Sequence, residues 1–316
     1  MDALLIMLKN VLIFVLLAFP GYLLVKGKVL GEKQSGALSK LLTYVGMPFL
    51  ILSATLKISF NGEFLKSILL VLVSGIAFIV ATFFLAILFT RKDKDEKRKG
   101  IARFCMVFSN NGFLGIPLAK AVFGDSPAVT YIIVLNIITN ILMFTLGVYL
   151  ISEDKKAISL KKAFLNPVLI AFIVGMVLNM LNVNEYIPEV DTYSTYFSNI
   201  VTPLSMVILG MKMADIPFVK LFSERGTYYV STVKLVIFPT LGVSLLLLLG
   251  LFFNVNADMI KGFFIAFAVP TAGLASAFAD QYSGDVENAV IYTLGTKLIS
   301  VLTLPLLYWV LNILLF

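Results

Sequence analysis

The chain contains no histidine. That removes the commonest general base and the commonest metal-binding side chain. It has one cysteine, Cys105, so no internal disulfide can form and the thiol says little about redox compartment. No run fits the G-x-x-x-x-G-K-[ST] pattern of a phosphate-binding loop, which argues against direct coupling to ATP. Nothing resembles an ion-channel selectivity filter. Carboxylates at depth are few and no metal-ligand cluster is spaced for binding, so an intramembrane enzyme is a poor reading and no cofactor is expected. Charged residues make up only 14% of the chain, against about a quarter in soluble domains.

What is present is apolar. Of the 316 residues 59% are hydrophobic, and the apolar residues fall in long runs. A helix spanning a bilayer needs about 20 of them. Ten segments satisfy or approach that length, at roughly 4–25, 36–56, 64–89, 101–123, 127–151, 167–182, 195–213, 227–253, 257–280 and 287–315. The expected fold class is therefore an all-α polytopic membrane protein of ten transmembrane helices. The start Met1-Asp2 lacks the basic region of a cleavable signal, so the first segment is read as a true span. The 27 Phe and 12 Tyr suit lipid-facing and core surfaces rather than stacking on bases, and no nucleic acid is expected as partner.

Basic residues set the orientation. They cluster after the first, third, fifth and seventh segments: Lys26, Lys28 and Lys33; Arg91 to Lys99; Lys155, Lys156, Lys161 and Lys162; Lys220 and Arg225. The alternate loops are poor in them. Both termini are expected outside a cell (plasma) membrane, and the net charge of +7 reflects cytoplasmic loops.

The fourth and ninth segments carry breaks. Residues 108–118 read F-S-N-N-G-F-L-G-I-P-L. Pro117 has no amide hydrogen and clashes with the preceding turn. Gly112 and Gly115 are weak helix formers, and Asn110 and Asn111 bring amides to a depth where polar groups need partners. The ninth segment places Pro270, Thr271 and Gly273 near mid-depth. Prolines recur between the halves: Pro48 and Pro203 lie 155 positions apart, Pro117 and Pro270 lie 153 apart. Five spans per half make the second copy inverted, an architecture of many secondary transporters. The expected units are a first five-helix repeat at 1–151, a cytoplasmic connection at 152–166 and an inverted repeat at 167–316. Pro favours a helix's first turn, so Pro117 and Pro270 are expected to begin half-helices. Two converging helix starts favour an anion.

Other polar residues lie at depth. Lys297 is near the midplane of the tenth segment and could draw a carboxylate, stand as a fixed charge, or pair for packing. Asn136 and Asn140 share a face of the fifth segment, suited to interhelical hydrogen bonding or to substrate contact. Lys234 is moderately deep in the eighth segment, where it could snorkel or serve the site, and Asp280 is placed near the cytoplasmic surface.

S-N-N-G-F-L-G-I-P-L at 109–118 resembles the fourth-helix motif of the auxin efflux carrier family, and A-V-P-T-A-G-L-A-S-A-F-A-D-Q-Y at 268–282 resembles its ninth-helix crossover. P-L-S-M-V-I-L-G-M-K-M-A-D, K-L-V-I-F-P and L-I-S-V-L-T-L-P-L are similar to its seventh, eighth and tenth helices, so the likeness spans the chain. The resemblance implies a five-plus-five inverted repeat with helices four and nine crossing. Helices one, two, six and seven would form a scaffold, and three to five and eight to ten a transport domain. It implies secondary transport of small organic anions, such as mono- or dicarboxylates, by an elevator movement. It also implies a homodimer through the scaffold, with a proton or Na+ as coupling ion. The family's crossover asparagine maps onto Asn110 or Asn111, with spacing favouring Asn110; the crossover prolines map onto Pro117 and Pro270. The long hydrophilic loop of the plant carriers is missing, which fits compact bacterial-type members. The alternative is a sodium-coupled organic anion symporter of the bile-acid type.

Overall fold

The structure is a computed structural model and describes residues 2–57, 62–154, 156, 158, 165–214, 221 and 223–315. Lys155, Lys161, Lys162 and Lys220 of the expected cytoplasmic loops, and most of the connection at 152–166, lie outside the described residues.

Apart from one isolated bridge, regular structure among the described residues is helical. The first six helices are α1 (Asp2–Lys26), α2 (Gln34–Leu56), α3 (Gly62–Thr90), α4 (Glu96–Val107), α5 (Asn111–Phe123) and α6 (Pro127–Ser152). The next six are α7 (Pro167–Met180), α8 (Glu189–Ala214), α9 (Arg225–Leu249), α10 (Ala257–Ala268), α11 (Ala275–Gln281) and α12 (Val286–Leu315). Seven of them, α1, α2, α3, α6, α8, α9 and α12, are long and apolar enough to cross a membrane, and α5 and α7 are shorter apolar helices. The chain is a multi-pass helical membrane protein.

Hydropathy alone placed the start of the fourth segment too late. It begins at Glu96, inside the charged run read as a solvated loop. Asp95 caps α4 by accepting the Arg98 amide at 3.1 Å, and Glu96 puts a negative charge in the first turn, where the helix dipole favours it. Before the cap, Arg98 grips the Asp93 carboxylate at 2.9 and 2.7 Å. That bond holds the Asp93 carboxyl below its usual range, so its contribution is present near neutral pH and is lost as pH falls through the lowered value. The pair is partly exposed, so the contribution is small.

Proline shapes the helices in a recurring way. Wide turns, in which the amide bonds the carbonyl five residues back, occupy Leu42–Gly46, Asn111–Gly115 and Val233–Ile237. Each is followed two residues later by proline: Pro48, Pro117 and Pro239. A proline ring clashes with the carbonyl four residues before it and offers no amide hydrogen; the widened turn relieves both problems without ending the helix. A fourth wide turn, Met143–Gly147, has no proline.

α1 packs lengthwise against α8, while α2 packs against α7 and the first part of α8. In a second group, α6 lies between α3 and α10, and α12 touches α4, α9 and α11. The buried core draws heavily on α4, α6 and α10, and α10 is buried at nearly every position from Met259 to Ala268. Large apolar side chains on α1, α3 and α7 point outward instead, as bilayer-facing helices require.

Candidate functional site

Backbone polar groups at the broken helices must find partners within the protein. They find them in each other. α4 ends at Val107, and Phe108 is extended. α10 ends at Ala268, and Val269 is extended at φ −68°, ψ 152°, the conformation that a following proline imposes. Ser109 and Thr271 then pair as an antiparallel bridge. The Asn110 amide donates to the Pro270 carbonyl at 2.8 Å, and the Ala272 amide donates to the Phe108 carbonyl at 2.9 Å. The Thr271 hydroxyl donates to the Cys105 carbonyl at 2.7 Å, serving a carbonyl freed at the end of α4. The Thr271 amide donates to the Thr296 hydroxyl of α12 at 3.3 Å. The two breaks are thus one cross-braced structure at the centre of the bundle.

This geometry corrects one expectation. Pro270 does not begin a half-helix: it lies in the extended bridge, and α11 starts only at Ala275 and runs seven residues. Pro117 does fall in the first turn of a regular helix, but the wide turn before it already belongs to α5, so that half-helix begins at Asn111. One substantial helix start, not two, faces the crossing.

Positive charge comes from side chains as well. Lys234 of α9 is fully buried and its ammonium donates to the Ser109 hydroxyl. Of the two readings open to it, snorkelling is ruled out: the wide turn Val233–Ile237 aims it at the crossing. No ion pair is recorded for it among the described residues, and a buried charge without a counter-charge is unfavourable. An anion at the crossing would relieve that cost.

Asn111 is 1% exposed. Its amide nitrogen reaches the Thr139 hydroxyl at 3.4 Å, while its carbonyl oxygen has no hydrogen-bond partner among the described residues. The amide nitrogen of Asn136 is likewise buried and unpartnered. Buried polar atoms are nearly always bonded, so an orphaned acceptor and an orphaned donor in one region call for an explanation. Gly112 and Gly115 keep the adjoining space open: a Cβ on Gly115 would sit 3.4 Å from the Asn111 carbonyl oxygen, and one on Gly112 3.5 Å from that of Asn136. Asn110 is half-buried, and its main-chain carbonyl takes the Leu114 and Gly115 amides, both at 3.1 Å.

The family model described as "Membrane transport protein" matches residues 6–160 and 156–308. The chain belongs to this family. It is the family of the auxin efflux carriers, to which the crossing motifs already pointed. An uncharacterized transporter of Methanothermobacter thermautotrophicus is 28% identical over 305 residues, covering 94% of this chain and 95% of that protein. An uncharacterized transporter of Methanocaldococcus jannaschii is 25% identical over 308 residues, covering 95% and 97%.

In this membrane transport protein several expected site residues stand apart from the crossing. Asn140 donates to the Asn136 main-chain carbonyl at 2.9 Å and to its side-chain oxygen at 3.2 Å, a bond within one helix rather than between helices. Gly273 has open space where a Cβ would lie, so no close approach demands glycine there. Lys297 follows Thr296, which touches the bridge, but Lys297 itself lines an apolar cavity beside α1. Asp280 is exposed at the end of α11, as expected of an interfacial charge. The residues that sequence reasoning undervalued are Ser109, Lys234 and Thr296. The available signal was position: Ser109 precedes the double asparagine, Thr296 precedes the deep lysine, and Lys234 lies five residues before Pro239.

Proposed function

We propose that the chain is a secondary active transporter of small organic anions, such as mono- or dicarboxylates, which bind at the crossing of α4–α5 with α10–α11. The observation that carries this reading is the pairing of Ser109 with Thr271 beside the unpartnered amide nitrogen of Asn136 and the buried ammonium of Lys234. A carboxylate supplies acceptors for the Asn136 amide and for the helix start at Asn111, and it balances the lysine charge. Gly112, Gly115 and Pro117 shape the near wall, Pro270 and Thr271 the opposite one, and Asn110 flanks it.

In this reading α4–α5 and α10–α11 are the broken fourth and ninth of ten spans in a five-plus-five inverted repeat. An antiparallel bridge between corresponding breaks is the contact that an in-plane pseudo-twofold would produce. The repeats are 1–151 and 167–316. α1, α2, α7 and α8 form a scaffold that also dimerises, and the remaining helices move as an elevator, driven by a proton or Na+.

Reconstituted protein is expected to take up malate or a monocarboxylate into proteoliposomes against inert lipid controls. Imposing a pH gradient and a Na+ gradient separately identifies the coupling ion. Strict Na+ dependence would favour the bile-acid-type symporter, and no saturable uptake of any carboxylate tested would sink the reading. In this reading both termini lie outside the plasma membrane. A cysteine replacing Lys94, in a Cys105→Ala background, should react with an impermeant maleimide only after the cytoplasmic face is opened; labelling of intact cells would reverse the topology.

A further inference from the structure

Lys297 is 8% exposed, and no hydrogen bond or ion pair is recorded for its ammonium among the described residues. It opens into a cavity of about 620 Å³ bounded by α1, α5, α8 and α12. That volume lies within the range of small-molecule sites. The walls are overwhelmingly apolar, with Leu118 typical of them. Ser300, which also lines the cavity, already donates to the Lys297 main-chain carbonyl at 2.7 Å. One buried cation therefore ends an otherwise greasy chamber.

The chamber's mouth is also apolar. Val15, Phe19 and Leu302 line it and are 46%, 57% and 67% exposed. In a multi-pass membrane protein, side chains of this kind on the outer surface face lipid. The cavity thus opens sideways toward the bilayer. A small dicarboxylate fits poorly here, because a second carboxylate would face only hydrocarbon. A ligand with one anionic end and one apolar chain satisfies both the lysine and the walls.

We propose that this cavity is a binding site for a single-chain fatty acid, which enters from the bilayer with its carboxylate on Lys297 and its alkyl chain along α1 and α12. The site is separate from the crossing and stands whether or not the crossing carries small carboxylates. Lys297 supplies the countercharge in a low-dielectric setting, where an ion pair is strong. Leu118 connects the chamber to α5, so an occupant would touch both the α1–α8 pair and the broken helix.

The test uses full-length protein in nanodiscs of neutral phosphatidylcholine, with decanoate binding measured by titration calorimetry against empty discs. Saturable decanoate binding is expected, at least tenfold weaker in Lys297→Met and in Val15→Trp. The second variant blocks the exposed mouth without entering the packed core, so it remains informative if Lys297→Met fails to fold. Asn111→Ala should bind decanoate as the native protein does, and 1-decanol should not bind saturably. Decanoate affinity that is unchanged in both cavity variants, or matched by 1-decanol, would overturn the proposal. Displacement of decanoate by malate would merge the cavity with the crossing and also overturn it. Displacement by an anionic phospholipid would assign the chamber to a lipid head group and do the same. Loss of carboxylate uptake alone bears only on the crossing.

Discussion

Asn111→Ala is expected to lower carboxylate uptake at least tenfold while leaving the fold in place. The reasoning rests on where its hydrogen bonds go. The amide nitrogen makes one long contact, 3.4 Å, to Thr139, and the carbonyl oxygen makes none among the described residues. Thr139 keeps a 2.7 Å bond to the Leu135 carbonyl after truncation, so no buried hydroxyl is stranded. Removing an amide that is already half unsatisfied should therefore cost about 1 kcal/mol of stability or less. The functional loss is larger, because the second N–H of the Asn111 amide, the one not directed at Thr139, is the group that can donate to a carboxylate; a hydrogen bond to a charged group contributes about 1.5–3 kcal/mol and each 1.4 kcal/mol is about tenfold in affinity. Proteoliposome uptake and thermal unfolding, measured on the same preparation, separate the two effects. Uptake equal to the native protein would remove Asn111 from the site, and a collapsed melting transition would make it structural.

Gly210→Ala is expected to produce the largest loss of stability of any single methyl addition considered, about 3 kcal/mol. A Cβ on Gly210 would stand 1.8 Å from the Ala18 carbonyl oxygen of α1, and one on Gly21 would stand 2.0 Å from the Val207 carbonyl oxygen of α8. The contact is reciprocal, and both obstacles are backbone, so no rotamer change relieves it. α1 and α8 must separate along their length instead. Close approach through small residues is the main way that helices associate in lipid, where no hydrophobic force draws them together. Gly36→Ala is the matched control: Gly36 is helical, nothing lies within 4 Å of its Cβ position, and alanine there should stabilise by up to about 1 kcal/mol. Thermal unfolding in one detergent should move in opposite directions for the two variants. A Gly210→Ala protein that melts with the native one would show that the α1–α8 crossing is looser than described.

Much of the architecture was legible in residue order. Long apolar runs specify membrane helices because the backbone has no other partner in hydrocarbon, and seven of the described helices are long and apolar enough to span, with two shorter apolar ones beside them. Pro117 and Pro270 marked the two interrupted spans because proline withholds a donor wherever it stands. The double asparagine marked the proposed site because polar groups at depth need partners. Hydropathy misplaced the start of α4 because a cap is read from Asp95 and Glu96, which apolar counting discards.

What residue order could not decide is which freed groups meet. The antiparallel bridge joins residues 162 positions apart, Ser109 and Thr271, and no local propensity encodes it. Pro270 looked like a helix start; pairing with α4's end holds it extended instead. Lys234 and Lys297 read alike as lysines at depth. Only packing sends the first to Ser109 at the crossing and the second into an apolar chamber open toward lipid. Residue order alone specifies a broken-helix membrane transport protein, because unsatisfied backbone and buried charge are properties of residues. The tertiary structure alone decided how those deficits are matched, because a hydrogen bond or a counter-charge is a property of two places brought together.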